Sequence, residues 1–481
     1  MKATDQIKHA AFEKTLDYLL EDPERNATKI MDMLDKVAPA DLFPSQRTAF
    51  RNAIDQQSNW HQLITRVLEL NPAMRNDFIK TFLVDGNLMA WPKQETMREK
   101  HRCNVPWAIL MDPTSACNLH CTGCWAAEYG HQENLSYDEL DSIIRQGTEL
   151  GTYVYIYTGG EPDLIALCEA HSDCSFLSFT NATLIDEEFC QDLLRVKNFI
   201  PAISVEGFEE ATDGRRGEGT YQKVVRAMRL LKQHGLPFGV SCCYTSANAD
   251  SIASEEFFDW MIGQGVLFAW IFTYMPVGVD APVELMVQAD QRERLYRFVR
   301  EMRSKKPLFT LDFQNDGEFV GGCIAGGRRY LHINAAGDVE PCVFAHYANA
   351  NIRETTLLDA LKSPIFMQYY ERQPFNDNLL RPCPILENRD VLADMVETAG
   401  AHSTDLQAKE SARDLCAKCT RSIEEWEPVA ERIWTDPADP LFDKRHDPGQ
   451  GMAETDKNKF DRLNRQRKPL EDKAQTGEPA A

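Results

Sequence analysis

Long apolar runs are missing from this 481-residue chain, and no hydrophobic stretch approaches the roughly 20 residues that a membrane-spanning helix needs. No membrane span is therefore expected. The N-terminal stretch MKATDQIKHAAFEKTLDYLL also lacks the uninterrupted apolar segment and small-residue cleavage site of a secretory signal, so the expectation is a cytoplasmic protein. Positive charge is scarce: 52 Lys and Arg against 74 Asp and Glu leave a net charge of −22. That balance argues against a nucleic-acid partner and against adsorption to anionic lipid, both of which require a basic face.

Cysteine, by contrast, is plentiful. There are 14, and in a chain without a secretory signal the reducing cytosol favours metal ligation or catalysis over disulfides. Their distribution is uneven, with a tight trio at 117–124 and a looser group at 323–419. Cys103, Cys168, Cys174, Cys190, Cys242 and Cys243 are scattered among apolar segments and read as small buried hydrophobes.

Residues 1 to about 100 carry helical patterns: Phe12, Leu16, Leu19 and Leu20 share one helical face, and Trp60, Leu63, Ile64, Val67 and Leu68 another. From Trp107 the texture changes. Strand-like runs at 107–111, 153–157, 176–180, 201–205, 238–244 and 268–274 alternate with helical segments. One of these starts at a capping box, Ser136 with Glu139, and stops at Gly151. Six βα repeats predict an α/β fold with a parallel sheet wound as a partial (β/α)6 barrel, its chemistry at the C-terminal ends of the strands. The expected domains are a helical N-terminal domain over 1–100, the barrel over 105–308 and a small Cys-rich region over 309–435 with a hairpin around Ala336-Gly337-Asp338. Residues 452–481, charged and without periodicity, are expected to be disordered.

The segment SACNLHCTGCW directly follows the first strand. Its spacing, C-x3-C-x2-C, places Cys117, Cys121 and Cys124 on one loop. Three thiolates hold three corners of a [4Fe–4S] cubane and leave one iron open to bind a small molecule and pass it an electron. The structural alternative is a zinc knot. Tetrahedral zinc wants four ligands, and His120, lying between two of the cysteines, is an awkward fourth.

On these residues the chain resembles the radical S-adenosylmethionine (SAM) superfamily over roughly residues 105–435. The motif Gly159-Gly160-Glu161-Pro162, at the end of the second strand, is similar to the one with which family members grip the amino group of SAM. Glycines allow close backbone approach, and a carboxylate pairs with an ammonium. The resemblance further implies that Asn181 closes the third strand in the place of a TNG-type turn, and that Ser204 and Glu206 lie near the SAM ribose. One of Arg215 and Arg216, with Arg216 as the candidate, would lie near the SAM carboxylate. The activity implied is reductive cleavage of SAM to methionine and a 5′-deoxyadenosyl radical, which takes hydrogen from a substrate. The electron would come from a donor such as flavodoxin or ferredoxin.

Cys323, Gly337 and Cys342 show a C-x13-G-x4-C spacing that resembles the opening of SPASM and twitch extensions, which carry auxiliary clusters. The resemblance implies a second [4Fe–4S] cluster bound by Cys323, Cys342, Cys383 and either Cys416 or Cys419. A structural zinc on the same residues, or plain burial of the thiols, are the alternatives.

Three features depart from the family pattern. Family members often have an aromatic residue just before the third cysteine, packed on adenine; here Gly123 stands there, with Trp125 on the other side. Ala182 replaces the glycine of the TNG turn. Pro162 runs almost directly into the apolar segment from Leu164, which shortens the loop beside Glu161. This short loop is the one feature that favours a different function, an iron–sulfur electron carrier or scaffold that has lost SAM cleavage. For the enzyme, two substrate classes are open. One is a peptide or protein; the other is a small metabolite or lipid chain, for which the helical N-terminal segment would serve as a wall.

Overall fold

The structure is a computed structural model that describes residues 44–127, 132–158 and 164–439, with isolated positions before residue 44. Phe12, Leu16, Leu19 and Leu20, the 159–162 motif and the 452–481 segment lie outside the described residues.

All six expected strands form: β1 (Ala108–Met111), β2 (Val154–Tyr157), β3 (Ser175–Thr180), β4 (Phe199–Ser204), β5 (Gly239–Tyr244) and β6 (Phe268–Thr273). Each pairs in parallel with the next. β1, β2 and β4 are buried along their whole length, as expected of a parallel sheet with helices on its outer face and the barrel interior on the other. The helix Tyr137–Leu150 begins at the reciprocal capping box of Ser136 and Glu139 and stops at Gly151, whose φ of 99° suits a residue without a side chain.

The sheet continues past residue 308. A seventh parallel strand, β7 (Phe309–Asp312), extends it beyond β6, and β8 (Tyr330–Ile333) lies parallel to β1 on the other edge. β9 (Val339–Glu340) returns antiparallel to β8 and forms the expected hairpin, with Gly337 at φ 88° in the turn. The spatial order is β7-β6-β5-β4-β3-β2-β1-β8-β9. The first two strands of the Cys-rich region, β7 and β8, thus belong to the barrel sheet. The helix following β7 is only the four residues Gly317–Val320, too short to register as another βα repeat in the sequence.

Segment 44–101 is helical, as its periodicity predicts, but it includes an 11-residue π-helix, Ile79–Met89. Apolar spacing does not distinguish that from an α-helix. The segment packs under the barrel. Arg66 donates to the carbonyls of Val266 (2.8 Å) and Pro307 (2.6 Å), Asn71 N–H to Gly235 O (2.9 Å) and Gln94 to Gly151 O (2.8 Å), all of them just before a strand begins. The described part of this segment therefore floors the barrel, at the end away from the cysteine loop. Its reach to the interior is through Trp107, whose indole N–H donates to Asn87 Oδ1 at 3.1 Å.

At the other end of the chain, helix Ala412–Thr435 carries Cys416 and Cys419 one turn apart, both buried. Trp426 on this helix donates to Leu380 O (3.0 Å), and its ring stacks under the Arg292 guanidinium at 4.3 Å. The contact with Arg292 fastens the Cys-rich region to the barrel helix Ala289–Lys305.

Candidate active site

Because β1, β2 and β8 end level, with Met111 opposite both Tyr157 and Ile333, the loops that leave them emerge side by side. The loop after β1 carries the three cysteines and is held from several directions. Ser115 N–H donates to Glu133 O (3.0 Å), Thr122 N–H to Arg215 O (2.9 Å) and Cys124 N–H to Cys121 O (3.2 Å). Asn181, from the end of β3, donates to Asn118 Oδ1 at 2.8 Å, and its amide nitrogen lies 3.9 Å from Cys117 Sγ. The turn after Asn181 forms although alanine replaces glycine: Ala182 adopts φ 60°, with its N–H donating to Thr180 Oγ1 at 2.8 Å.

β4 and β5 supply the next group. Glu206 is fully buried. Its Oε1 accepts from Arg215 Nη1 (2.7 Å) and Arg216 Nε (2.7 Å), while its Oε2 accepts from Cys243 N–H (2.8 Å). Burial would raise this carboxyl, but the two guanidiniums outweigh it and hold Glu206 below the ordinary carboxylate range. Arg216 Nη1 lies 3.9 Å from Cys121 Sγ, and Arg215 Nη2 lies 3.4 Å from Gly123 O. The sequence left open which arginine faces inward; the fold brings both to the cysteine loop, clamped by one carboxylate. Burial raises the thiols of Cys121 and Cys124 above their usual range despite these arginines, so ligation there must release protons.

These residues surround a cavity of about 360 Å³ inside the sheet. Cys117, Cys121, Cys124, Asn181, Ser204, Arg215 and Arg216 line one part of it. The rest is mainly apolar, with Phe179, Trp270, Phe272, Phe313 and Phe344 in a run of ring contacts 5.0–6.4 Å apart. Glu206 is not among the lining residues: it stands behind the arginines. Among the described lining residues there is no Asp or Glu side chain.

Sequence reasoning did not find a buried polar network next to this loop. His332 on β8 is completely buried, with Nδ1 2.6 Å from Glu340 Oε2 and Nε2 3.0 Å from Asp112 Oδ2. Glu340 Oε1 also accepts from Asn334 (2.9 Å) and Thr404 (2.5 Å), and the Thr158 hydroxyl donates to Asp112. Trp125, next to Cys124, meets His332 and His346 edge-on at 5.6 and 6.1 Å. The only sequence signal was an acidic residue closing β1, too common to notice.

Burial opposes a charge on His332, yet Asp112 and Glu340 outweigh it and raise its pKa to about 10. A raised folded-state pKa stabilises the protein fully below the unfolded value of about 6.5, and that contribution is lost as pH rises through the folded one. Unfolding free energy of the metal-free protein is therefore expected to decline between these two values by something on the order of a few kcal/mol. In the His332→Gln variant this slope should be flatter; identical slopes in urea titrations across the range would show that His332 is not the charged member.

The second cysteine group also converges. Tyr330 OH is 2.8 Å from Cys342 Sγ, and the backbone N–H groups of Phe344 and Ile385 lie 3.5 and 3.4 Å from the sulfurs of Cys342 and Cys383. Cys323 is within electrostatic reach of both Cys342 and Cys383, and the phenol of Tyr369 within reach of those three and Cys416. Cys419 lies one turn from Cys416 on the same helix. Burial raises Cys323 and Cys416 to about 11 and Cys342 to about 12. No three Cys, His, Asp or Glu side chains among the described residues are close-set enough to grip a single metal ion.

The chain is similar to known proteins over the barrel and over part of the Cys-rich region. Residues 111–248 match the profile of the radical SAM superfamily, and residues 323–384 that of the SPASM iron–sulfur cluster-binding domain. The AdoMet-dependent heme synthase of Methanosarcina barkeri is 22% identical over 340 residues, which span 64% of this chain and 96% of that protein. The sporulation killing factor maturation protein SkfB of Bacillus subtilis is 23% identical over 53% of this chain and 64% of its own. Among solved structures, Streptococcus suis SuiB bound to S-adenosylmethionine shares the fold with a TM-score of 0.51 at 20% identity, covering 62% of this chain and 76% of its own. A radical SAM domain takes a [4Fe–4S] cluster and SAM, and a SPASM domain takes further iron–sulfur clusters. On these matches the chain carries a radical SAM domain followed by a SPASM iron–sulfur domain, and its relatives are radical SAM enzymes.

Proposed function

We propose that this chain binds SAM at a [4Fe–4S] cluster held by Cys117, Cys121 and Cys124, cleaves it reductively, and directs the radical at a substrate in the aromatic cavity. The observation that carries this reading is that the three cysteines, Asn181, Ser204 and both arginines line one cavity. The residues present fit the two groups. Three soft thiols sit on one loop, and the cavity wall beside them holds two buried polar atoms without hydrogen-bond partners, Arg215 Nε and Tyr274 OH.

Bound together, the reduced cluster and SAM supply a carbon-centred radical able to take a hydrogen atom from a C–H bond. The protein's own residues orient and enclose. Glu206 holds two guanidiniums in place to receive a carboxylate, Asn181 ties the β3 turn to the cysteine loop, and the aromatic wall keeps water from the reacting carbon. Glu161, in the motif Gly159-Gly160-Glu161-Pro162, is the proposed partner of the SAM ammonium. Cys323, Cys342 and Cys383 are the proposed ligands of an auxiliary cluster. The fourth comes from Cys416 or Cys419, both buried on helix Ala412–Thr435. Flavodoxin or ferredoxin is the proposed electron donor.

An apolar wall with no described carboxylate favours a substrate that presents an apolar part, a small metabolite or lipid chain, over a charged peptide. Similarity to a heme synthase points the same way, and similarity to a peptide-maturing protein points the other. Anaerobic protein given SAM and dithionite is expected to form 5′-deoxyadenosine. If it forms none above a protein-free blank while its cluster is intact, the electron-carrier reading takes its place.

A further inference from the structure

Tyr330 opens β8, where the strand register sets it opposite Ala108 of β1. Its side chain is buried, lines the cavity and meets the ring of Phe313 edge-on at 6.0 Å. Its hydroxyl ends 2.8 Å from the sulfur of Cys342, which is not itself a lining residue. One side chain therefore spans the wall between the cavity and the second cysteine group. Ile324, Val343 and Phe344 line the cavity as well, and they are the chain neighbours of Cys323 and Cys342. Two cysteines of the second group thus stand directly behind the cavity wall.

While Cys342 keeps its proton, either the thiol or the phenol can donate across this contact. A cysteine that binds iron has lost its proton, so only the phenol O–H can donate then. The backbone N–H of Phe344 lies 3.5 Å from the same sulfur, and that of Ile385 lies 3.4 Å from Cys383 Sγ. Donors already directed at these sulfurs suit thiolates, so the residues present fit a cluster. Each donated bond stabilises negative charge on its sulfur. A [4Fe–4S] cluster carries one more negative charge when reduced, so such a bond favours the reduced state and raises the potential.

We propose that Tyr330 is a positioning residue for the second iron–sulfur cluster: from the cavity wall it donates to the Cys342 sulfur and so sets that cluster's reduction potential. The inference rests on the reading that Cys342 is one of the cluster's ligands. An electron on the second centre is held more readily than it would be without the bond. The residue that holds it also shapes the space a substrate enters.

The test is a redox titration of the full-length protein with both clusters loaded, followed through the spin-resonance signal that SAM does not perturb. Tyr330→Phe keeps the ring and the cavity wall and loses only the O–H. The equilibrium constant for one-electron reduction of its second centre is expected to be about tenfold smaller, a potential lower by about 59 mV. Iron content and the potential of the SAM-responsive cluster should not change. Phe313→Leu, which alters the ring packed on Tyr330 but leaves the hydroxyl in place, should not move the second potential. An unshifted second potential in Tyr330→Phe overturns the inference. So does loss of iron in that variant, or an equal shift in Phe313→Leu, since Tyr330 would then act only by packing. Cys342→Ala separates the two levels of the argument. If it retains all of its iron and an unchanged signal, the ligand reading fails and the inference with it. If it loses the second cluster while Tyr330→Phe is unshifted, only the tuning role of Tyr330 is overturned.

Discussion

A variant with Cys117, Cys121 and Cys124 all replaced by alanine is expected to form no 5′-deoxyadenosine and yet to remain brown. No other described set of three thiols lies beside Arg215, Arg216 and Asn181, so nothing can substitute for the lost ligands. The second group comes from other segments of the chain, between residues 323 and 419, and is untouched by the change. Two cubanes hold the same complement of metal, so about half of the wild-type iron and sulfide should remain. The remaining centre, held by four protein ligands, should give a reduced spin-resonance signal that SAM does not perturb. Replacing Cys342 should remove the other half of the iron and lower solubility, because metal–thiolate bonds supply folding energy to a small extension. A colourless triple variant that retains zinc would assign the second group to structural zinc. A colourless and metal-free one would leave those cysteines as packing residues.

Glu206→Ala is expected to be the most damaging single change away from the thiols. The carboxylate is completely buried and holds Arg215, Arg216 and the N–H of Cys243 together. Removing it leaves two largely buried guanidiniums, each with a side chain 12% exposed, without their counter-charge. Breaking a buried ion pair from one side costs about 3–5 kcal/mol. Urea unfolding of the metal-free protein should report a loss of that order. SAM affinity should fall as well, because the arginines no longer have a fixed direction. Glu206→Gln keeps the shape and can accept from one arginine, so its loss should be smaller on both readouts. Equal stability of wild type and Glu206→Ala would mean that solvent or another carboxylate neutralises the arginines and that the clamp is unimportant.

The residues of the site were legible to different degrees, and the difference follows sequence distance. Cys117, Cys121 and Cys124 share one loop, so their spacing could be read without any long-range contact. Ser136, Glu139 and Gly151 mark both ends of a helix through hydrogen bonds made within it. For Glu206 the sequence offered a position after β4 but not a partner. The structure places it behind Arg215 and Arg216 rather than on the cavity surface. Glu161, the residue whose placement the short loop called into question, lies outside the described residues and stays a proposal.

What the sequence by itself determined, then, is what short-range chemistry encodes: the alternation of apolar strands and amphipathic helices, the caps, the three-cysteine loop and the spacing of the second cysteine group. Only the tertiary structure decided that β8 pairs with the free edge of β1, that segment 44–101 floors the barrel, that His332 lies between Asp112 and Glu340, and that Tyr274 fills the place left by Gly123. Each of these joins residues far apart in the chain. Such contacts are selected by which faces remain uncovered once the strands have paired, and by the need to match each buried charge with an opposite one. Neither condition leaves a mark at a fixed sequence spacing.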